Sequence, residues 1–384
     1  MTPALPRQPS NTAIAPSMST VAARFNRAWL SRGPLVRLLW PLSLLMAGLV
    51  WARRLAYHQG WMRSVKLPVP VIVVGNRVVG GAGKTPTTIA LLQHLQSTGW
   101  RPGVLSRGYK AQGPDGASVL IDAQTAQDVN ALETGDEPFL IWRRTGAPVM
   151  VGRDRVRGGQ ALLRKHPDIN VLVCDDGLQH LRLQRDVEVV VFDERGQGNG
   201  WLLPAGPLRE PIDAPAPPGL RTPPIVIYNA TRASTTLPGH LASKGLAPLQ
   251  ALADWWGCEP SDSQRKPPTQ GRTVWAVAGI AHPQRFFDAL ASSGLVVQGV
   301  PLADHADFST LPWPVEARDV VVTEKDAIKL RPERIQIERP GCQVWVAALD
   351  FRPDEAFWTA LDAALSPWPE QASPNKPSNA SNPH

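Results

Sequence analysis

The spacing of apolar residues changes period several times along the chain, and each change predicts an element. Leu35 to Ala52 (LVRLLWPLSLLMAGLVWA) is apolar on every side, broken only by Arg37 and Pro41, and predicts a lipid-facing helix. Eighteen residues at ~1.5 Å each reach ~27 Å, slightly less than a ~30 Å hydrocarbon core, so the helix spans with strain or lies partly inserted. Pro68 to Gly75 (PVPVIVVG) is a short β-branched run of the kind buried in a parallel sheet. Thr87 to Thr98 then switches to a 3.6-residue period through Ile89, Leu92 and Leu95, and ends at Gly99. Strands follow at Pro102 to Ser106, Val171 to Val173 and Val187 to Phe192, with helices predicted over 136–145 and 154–166. From Ile225 the alternation restarts with VIYN, residues 275–280, a helix opened by Pro283, and runs at 320–330 and 344–349.

The expected fold is therefore α/β: a doubly wound, mostly parallel sheet of the P-loop NTPase type, a second and smaller α/β domain, and an N-terminal membrane-associated helix. Residues 1–34 read as a disordered basic leader and 35–66 as the membrane helix with its basic flank. Residues 67–213 form the nucleotide-binding domain, 214–224 (APAPPGLRTPP) a proline-stiffened connector, 225–364 the smaller domain and 365–384 a low-complexity tail.

Charge sharpens this picture. Residues 1–114 hold 14 Lys or Arg and no acid before Asp115, so a net +7 chain divides into a +14 front and a −7 remainder. A polyanionic partner is implied for the front. Arg24, Arg27, Arg32, Arg37, Arg53, Arg54, Arg63 and Lys66 surround the apolar run, and Trp40, Trp51 and Trp61 suit the water–lipid boundary. Anionic inner-membrane lipids are the expected surface. No aromatic–basic interleaving or helix-turn-helix spacing supports nucleic acid. Cys174, Cys258 and Cys342 are too far apart in sequence to suggest a disulfide framework or a thiolate zinc site.

Between strand and helix stands NRVVGGAGKTPTT, the context a P-loop requires. Main-chain N–H groups of Gly80, Gly81 and Gly83 cradle phosphate, Lys84 supplies a cation to the β/γ oxygens, and the Thr85 hydroxyl can hold Mg²⁺. The strict G-x-x-x-x-G-K-[ST] spacing wants glycine where this chain has Val78. The nucleotide loop is taken as Val78, Val79, Gly80, Gly81, Ala82, Gly83, Lys84 and Thr85, with a nucleoside triphosphate and Mg²⁺ as the inferred ligands.

Asp175 and Asp176 follow a buried run beside that loop, where such enzymes hold magnesium or its water shell; capping of the next turn is the plainer alternative. His180 either steadies this loop or is a satisfied structural group. Asp136 and Glu137 open a predicted helix, so Asp136 is either its N-cap or a base for the acceptor hydroxyl. Arg209, after a Gly/Pro-rich loop, either neutralises transition-state charge or lies solvated. Thr323 to Asp326 (TEKD) fits a nucleotide contact or a strand-to-helix cap equally well.

Taken together, VPVIVVGNRVVGGAGKTP, SRGYK, TGDEP, CDDGLQH, PAGPLRE, ADHADF and VTEKDAIKL, in that order, resemble the tetraacyldisaccharide 4'-kinases of lipid A assembly over roughly residues 35–350. The resemblance implies transfer of the ATP γ-phosphate to the 4'-hydroxyl of a tetraacylated glucosamine disaccharide 1-phosphate, forming lipid IVA. It places the catalytic domains on the cytoplasmic side of the inner membrane, attached peripherally or by a single helix, with no obligatory protein partner. It pairs Asp136 with His305 to activate the acceptor, makes Asp175 and Asp176 the metal- or phosphate-organising acids, sets Arg209 at the nucleotide phosphates, and puts Arg107 and Tyr109 near the acceptor. Relatives often carry two consecutive histidines, whereas here Ala306 follows His305.

A competing class is the membrane-bound P-loop ATPase switch of the partitioning and cell-division type. Such switches carry a lysine immediately before the double glycine, where this chain has Val79.

Overall fold

A computed structural model describes residues 27–108, 118–126, 134–258 and 266–368. The first helix, α1 (Pro34–His58), is 25 residues long and continues past the expected Ala52 through Arg53 and Arg54. β1 (Val71–Gly75), with all five residues buried, leads through the glycine loop to α2 (Lys84–Ser97). Next come β2 (Pro102–Ser106), β3 (Val119–Ile121), α3 (Asp136–Thr145), β4 (Val149–Val151), α4 (Arg155–Lys165), β5 (Val171–Asp175) and β6 (Val187–Asp193). The chain continues with β7 (Ile225–Asn229), β8 (His240–Leu246), β9 (Gln250–Ala251), α5 (Leu252–Trp256), β10 (Thr273–Ala278), α6 (Pro283–Ser292) and β11 (Val296–Pro301). It closes with β12 (Asp319–Thr323), α7 (Glu324–Ala327), α8 (Pro332–Glu338), β13 (Gln343–Ala347), β14 (Leu349–Pro353) and α9 (Glu355–Leu365).

Two sheets result. The larger has the order β14-β8-β7-β6-β1-β5-β2-β4-β3 and is parallel except at its edge strands β3 and β14; the smaller has the order β11-β10-β12-β13-β9. β1 lies between β5 and β6, strands reached by opposite crossovers, so the loop after it opens at the switch point where α/β sheets bind ligands. One apolar core runs from Ile72 and Val74 through Leu92 and Phe139 to Val277, Val322 and Val346, joining the two sheets.

The structure differs from the expected division after residue 213. Ile225–Asn229 is wholly buried and pairs in parallel with β6, so the proline-rich segment 214–224 links strands within the larger sheet. β14 also returns to that sheet, pairing with β8. The smaller sheet lies within 250–347. Prolines marked a break in regular structure and not a break in packing.

α1 meets the criteria for a membrane-crossing helix in length and apolarity, with a mean hydropathy of 1.7 and only 11% of its apolar window buried. Leu38, Leu42, Leu45, Leu49 and Trp51 are exposed. Its polar side is occupied: the buried Ser43 hydroxyl donates to the Leu202 carbonyl (2.7 Å) and accepts from the Ala205 amide (3.0 Å), and Arg54 pairs with Glu210. This long apolar helix is thus fastened to the segment that carries Arg209.

Candidate active site

The glycine loop is turned inward by side chains that hold its outer carbonyls. Asn76 Nδ2 donates to the Gly80 carbonyl at 3.1 Å, Arg195 reaches the Val79 and Gly81 carbonyls at 3.4 Å each, and Asn229 Nδ2 donates to the Ala82 carbonyl at 3.1 Å. With these oxygens engaged, the loop leads into the N-terminus of α2 at Lys84, the kind of helix start whose main-chain N–H groups suit phosphate. Gly80 (φ 101°) and Gly83 (φ 90°) take left-handed backbone, which L side chains adopt at a steric cost. A Cβ on Gly83 would also lie 2.0 Å from Asn229 Nδ2.

The front of the assigned loop does not share this geometry. Val79 N–H donates to the Pro207 carbonyl at 2.8 Å, and Val78 is buried and bridges Leu208. Val79 N–H is thus taken up within the protein, and Val78 stands as a buried β-branched residue where the strict motif has glycine. The same pairing lets Arg209 N–H reach the Arg77 carbonyl (2.8 Å), bringing the Arg209 loop against the cradle.

Lys84 Nζ lies 3.4 Å from Asn76 Oδ1 and 3.6 Å from Asp176 Oδ1, and Arg209 Nη1 lies 3.3 Å from the same Asp176 oxygen. Asp175 is the last residue of β5, in register with Val74, and accepts from the Thr88 hydroxyl at 2.9 Å. Burial first, then the charges of Glu137 and Asp176, push its pKa up to about 7 despite Lys84. Asp176 turns away at φ 50°, so the two acids face different directions. Thr85 is buried at the start of α2. A hydroxyl and two carboxylates are hard oxygen donors of the kind a divalent cation such as Mg²⁺ takes. His180 is half-buried, and burial with the Arg155 charge pulls its pKa down to about 4, leaving a neutral ring.

A second cluster comes from both sheets. Gly135 (φ 88°) occupies the N-cap of α3, so Asp136 is not the cap and its side chain is free to turn toward the smaller sheet. There Asp136 Oδ2 meets His305 Nδ1 at 2.8 Å and Lys329 Nζ at 2.8 Å. Burial alone would raise the Asp136 pKa, but the His305 hydrogen bond and Lys329 together hold it below the ordinary carboxylate value. His305 stands at φ 65° in the loop after β11, while Ala306 packs against the core. The neighbouring Glu137 pairs with Lys325 at 2.6 Å, which with Lys84 and His305 overcomes burial to depress its pKa. TEKD acts as a cap: Thr323 Oγ1 accepts from Asp326 N–H at 3.3 Å and donates to Asp326 Oδ2 at 2.6 Å, and Glu324 takes both its oxygens to Arg144 at 2.7 Å.

Of two clefts, one of about 650 Å³ is lined by Glu194, Gln197 and residues 230–236, next in sequence to Arg195 and Asn229, which contact the glycine loop. The other, about 340 Å³, is lined by Arg107, Gln179, Arg209 and, from α1, Met46, Val50 and Arg53. Arg107 thus shares a cleft with Arg209 and the membrane helix; Tyr109 lies outside the described residues. Asn76, Asn229, Arg195 and Lys329 are absent from the sequence assignments. The signal for the first two was a polar residue ending an apolar strand.

A model of the tetraacyldisaccharide-1-P 4'-kinase family matches residues 35–366. A tetraacyldisaccharide 4'-kinase from Leptothrix cholodnii is 55% identical over 345 residues, covering 90% of this chain and 96% of that protein. The corresponding protein of Methylibium petroleiphilum is 53% identical over 353 residues, with 92% and 96% covered. Among solved structures, an "apo"-form LpxK from Aquifex aeolicus in complex with ATP superposes with a TM-score of 0.69 at 27% identity, covering 87% of this chain and 99% of that one.

Proposed function

The chain belongs to the tetraacyldisaccharide-1-P 4'-kinase family, and from that premise we propose how its own residues divide the reaction. It is an ATP-dependent 4'-kinase of lipid A biosynthesis, acting on a lipid disaccharide. The partitioning-type ATPase switch is not favoured, because full-length relatives are kinases and Val79 stands where a switch has its lysine.

In the proposed arrangement the amides of residues 80–85 receive the β- and γ-phosphates, Lys84 adds its cation, and the 650 Å³ cleft takes the nucleoside. Thr85, Asp175 and Asp176 would hold Mg²⁺, which when bound neutralises phosphate charge. Arg209, already ion-paired beside the cradle, supplies further positive charge toward the transferring group. Arg53, Arg107 and the apolar wall of α1 receive the disaccharide in the 340 Å³ cleft, with Arg107 and Tyr109 nearest the acceptor.

With Nδ1–H donated to Asp136, the His305 ring carries its lone pair on Nε2. That nitrogen takes the proton of the 4'-hydroxyl as its oxygen bonds to the γ-phosphorus. The bond from phosphorus to the β,γ-bridging oxygen breaks, and ADP leaves with that electron pair. Asp136 fixes the tautomer and stabilises the imidazolium. α1 lays its exposed leucines and tryptophans into the inner membrane from the cytoplasmic side, and its arginines meet anionic headgroups.

The observation that carries this reading is the glycine loop opening α2, its carbonyls held by Asn76, Arg195 and Asn229, together with the Asp136–His305 pair at 2.8 Å. Product analysis tests it: incubation with ATP, Mg²⁺ and detergent-dispersed disaccharide 1-phosphate gives a lipid heavier by one phosphate, located on the 4'-oxygen. Phosphate at any other oxygen, or released only to water, contradicts it.

A further inference from the structure

One carboxylate oxygen serves two partners. Asp136 Oδ2 is 2.8 Å from His305 Nδ1 and also 2.8 Å from Lys329 Nζ, with the lysine side chain only 6% exposed. A lysine confined that tightly beside a buried acid is held for its charge, since a solvated position would cost the protein less.

The two partners are mechanically connected. Asp326, fully buried, accepts the Gly279 N–H on both oxygens at 3.2 and 3.1 Å. The Gly279 carbonyl accepts the His305 N–H at 3.2 Å, and the Asp326 carbonyl accepts the Lys329 N–H at 3.0 Å. Links therefore run from the His305 amide to the Gly279 carbonyl, from the Gly279 amide to the Asp326 carboxylate and from the Asp326 carbonyl to the Lys329 amide, and Asp136 closes the ring from α3. A Cβ on Gly279 would fall 2.9 Å from Asp326 Oδ1, so the contact depends on glycine there.

We propose that Lys329 is a positioning residue for phosphoryl transfer: it pins Asp136 Oδ2 and keeps that carboxylate ionised, so that the acceptor proton goes to His305. The inference rests on the assignment of Asp136 and His305 as the proton-accepting pair. Charges around the pair come from every packed element. Glu137 follows Asp136 on α3, Lys325 neutralises Glu137 from α7, Asp326 lies beneath the loop, Asp304 stands 3.9 Å from His305 Nε2, and Lys84 acts on Glu137 from α2. Of the cations, Lys329 alone has its ammonium within 4 Å of Asp136 among the described residues. Glu137 already has its own partner in Lys325. Removing the Lys329 charge favours the protonated form of Asp136, so the acid side of the rate profile must move to higher pH.

The test is the pH dependence of kcat at saturating ATP for Lys329→Met, Lys329→Arg and His305→Ala, with KM for ATP and thermal unfolding followed in parallel. Lys329→Met is expected to lose about tenfold or more in kcat at neutral pH, within the range a positioned base contributes. Its acid limb shifts upward and KM for ATP stays near that of the wild type. Lys329→Arg, which retains the charge, restores the limb and most of kcat while unfolding at a similar temperature. An unshifted acid limb in Lys329→Met, or Lys329→Arg no better than Lys329→Met, overturns the proposal. His305→Ala separates the two levels: wild-type kcat there sinks the proton-accepting pair itself, whereas a large loss with an unmoved Lys329→Met profile sinks only the role given to Lys329.

Discussion

Asn229 Nδ2, at the end of β7, donates to the Ala82 carbonyl inside the glycine loop, 147 residues away in sequence. Its amide nitrogen occupies the space a Cβ on Gly83 would need. The cradle is thus shaped from outside by a neighbouring strand as well as by its own glycines. Asn229→Ala is expected to raise KM for ATP by about tenfold, on the order of one charge-free hydrogen bond with its orphaned carbonyl, with a smaller change in kcat. Equilibrium ATP binding checks this. Gly83→Ala meets both the left-handed backbone and Asn229, and is expected to abolish nucleotide binding.

In the proposed mechanism Asp136 serves the chemistry more than the fold. Asp136→Asn keeps the volume and removes the charge, so it is expected to lower kcat by about 10²-fold or more while leaving ATP affinity near normal. Steady-state kinetics with lipid and ATP varied separately checks the split; equal losses in both parameters would make Asp136 structural.

Ser43 is a buried hydroxyl on a helix whose leucines are mostly exposed, and it satisfies one donor and one acceptor in the segment leading to Arg209. Ser43→Ala leaves the Ala205 amide without that acceptor, a loss of about 1–3 kcal/mol in local stability. Faster amide exchange confined to residues 199–210, together with reduced transfer, is the expected outcome.

The exposed leucines of α1 give a separable prediction. Leu38→Glu with Leu45→Glu is expected to abolish cosedimentation with vesicles containing anionic lipid, and ATP binding in detergent is expected to persist. Both sites are solvent-facing, so the fold is not engaged. Retained sedimentation would move the membrane contact elsewhere.

The contact between the sheets has a pH signature. Asp136 and Glu137 have depressed pKa values, so their contribution to stability is present above the ordinary carboxylate range and lost as pH falls through the lowered values. Burial lowers the Lys325 pKa but Glu137 outweighs it, so the net shift is upward and that contribution is lost only as pH rises through the raised value. Differential scanning calorimetry of Glu137→Gln against wild type is expected to show a gap of about 0.5–1 kcal/mol at neutral pH, typical of partly exposed pairs, closing in acid.

Much of this was legible in the residues. The β-branched run into GGAGKT falls at β1 and the loop before α2, the 3.6-residue period placed α2, and helix α3 falls at 136–145 as the pattern requires. Three things were hidden. Val78 and Val79 pair with Leu208 and Pro207 through an isolated bridge and a main-chain hydrogen bond, and such a partner leaves no local trace. The proline-rich stretch at 214–224 imitates a domain boundary, yet β7 pairs with β6 beyond it. Asp136 has the spacing of an N-cap, and only Gly135 together with two partners from the distant smaller sheet gives its side chain another task. Register and long-range pairing are properties of the folded chain, which is why periodicity alone misses them.

The most direct measurement is single-turnover transfer of labelled γ-phosphate from ATP to the lipid disaccharide, with ATP binding measured on the same samples, for wild type, Lys84→Ala and His305→Ala. The arrangement derived from the structure predicts that Lys84→Ala loses both binding and transfer, while His305→Ala binds ATP normally and transfers label at least about 10²-fold more slowly. Undiminished transfer by either variant would contradict it.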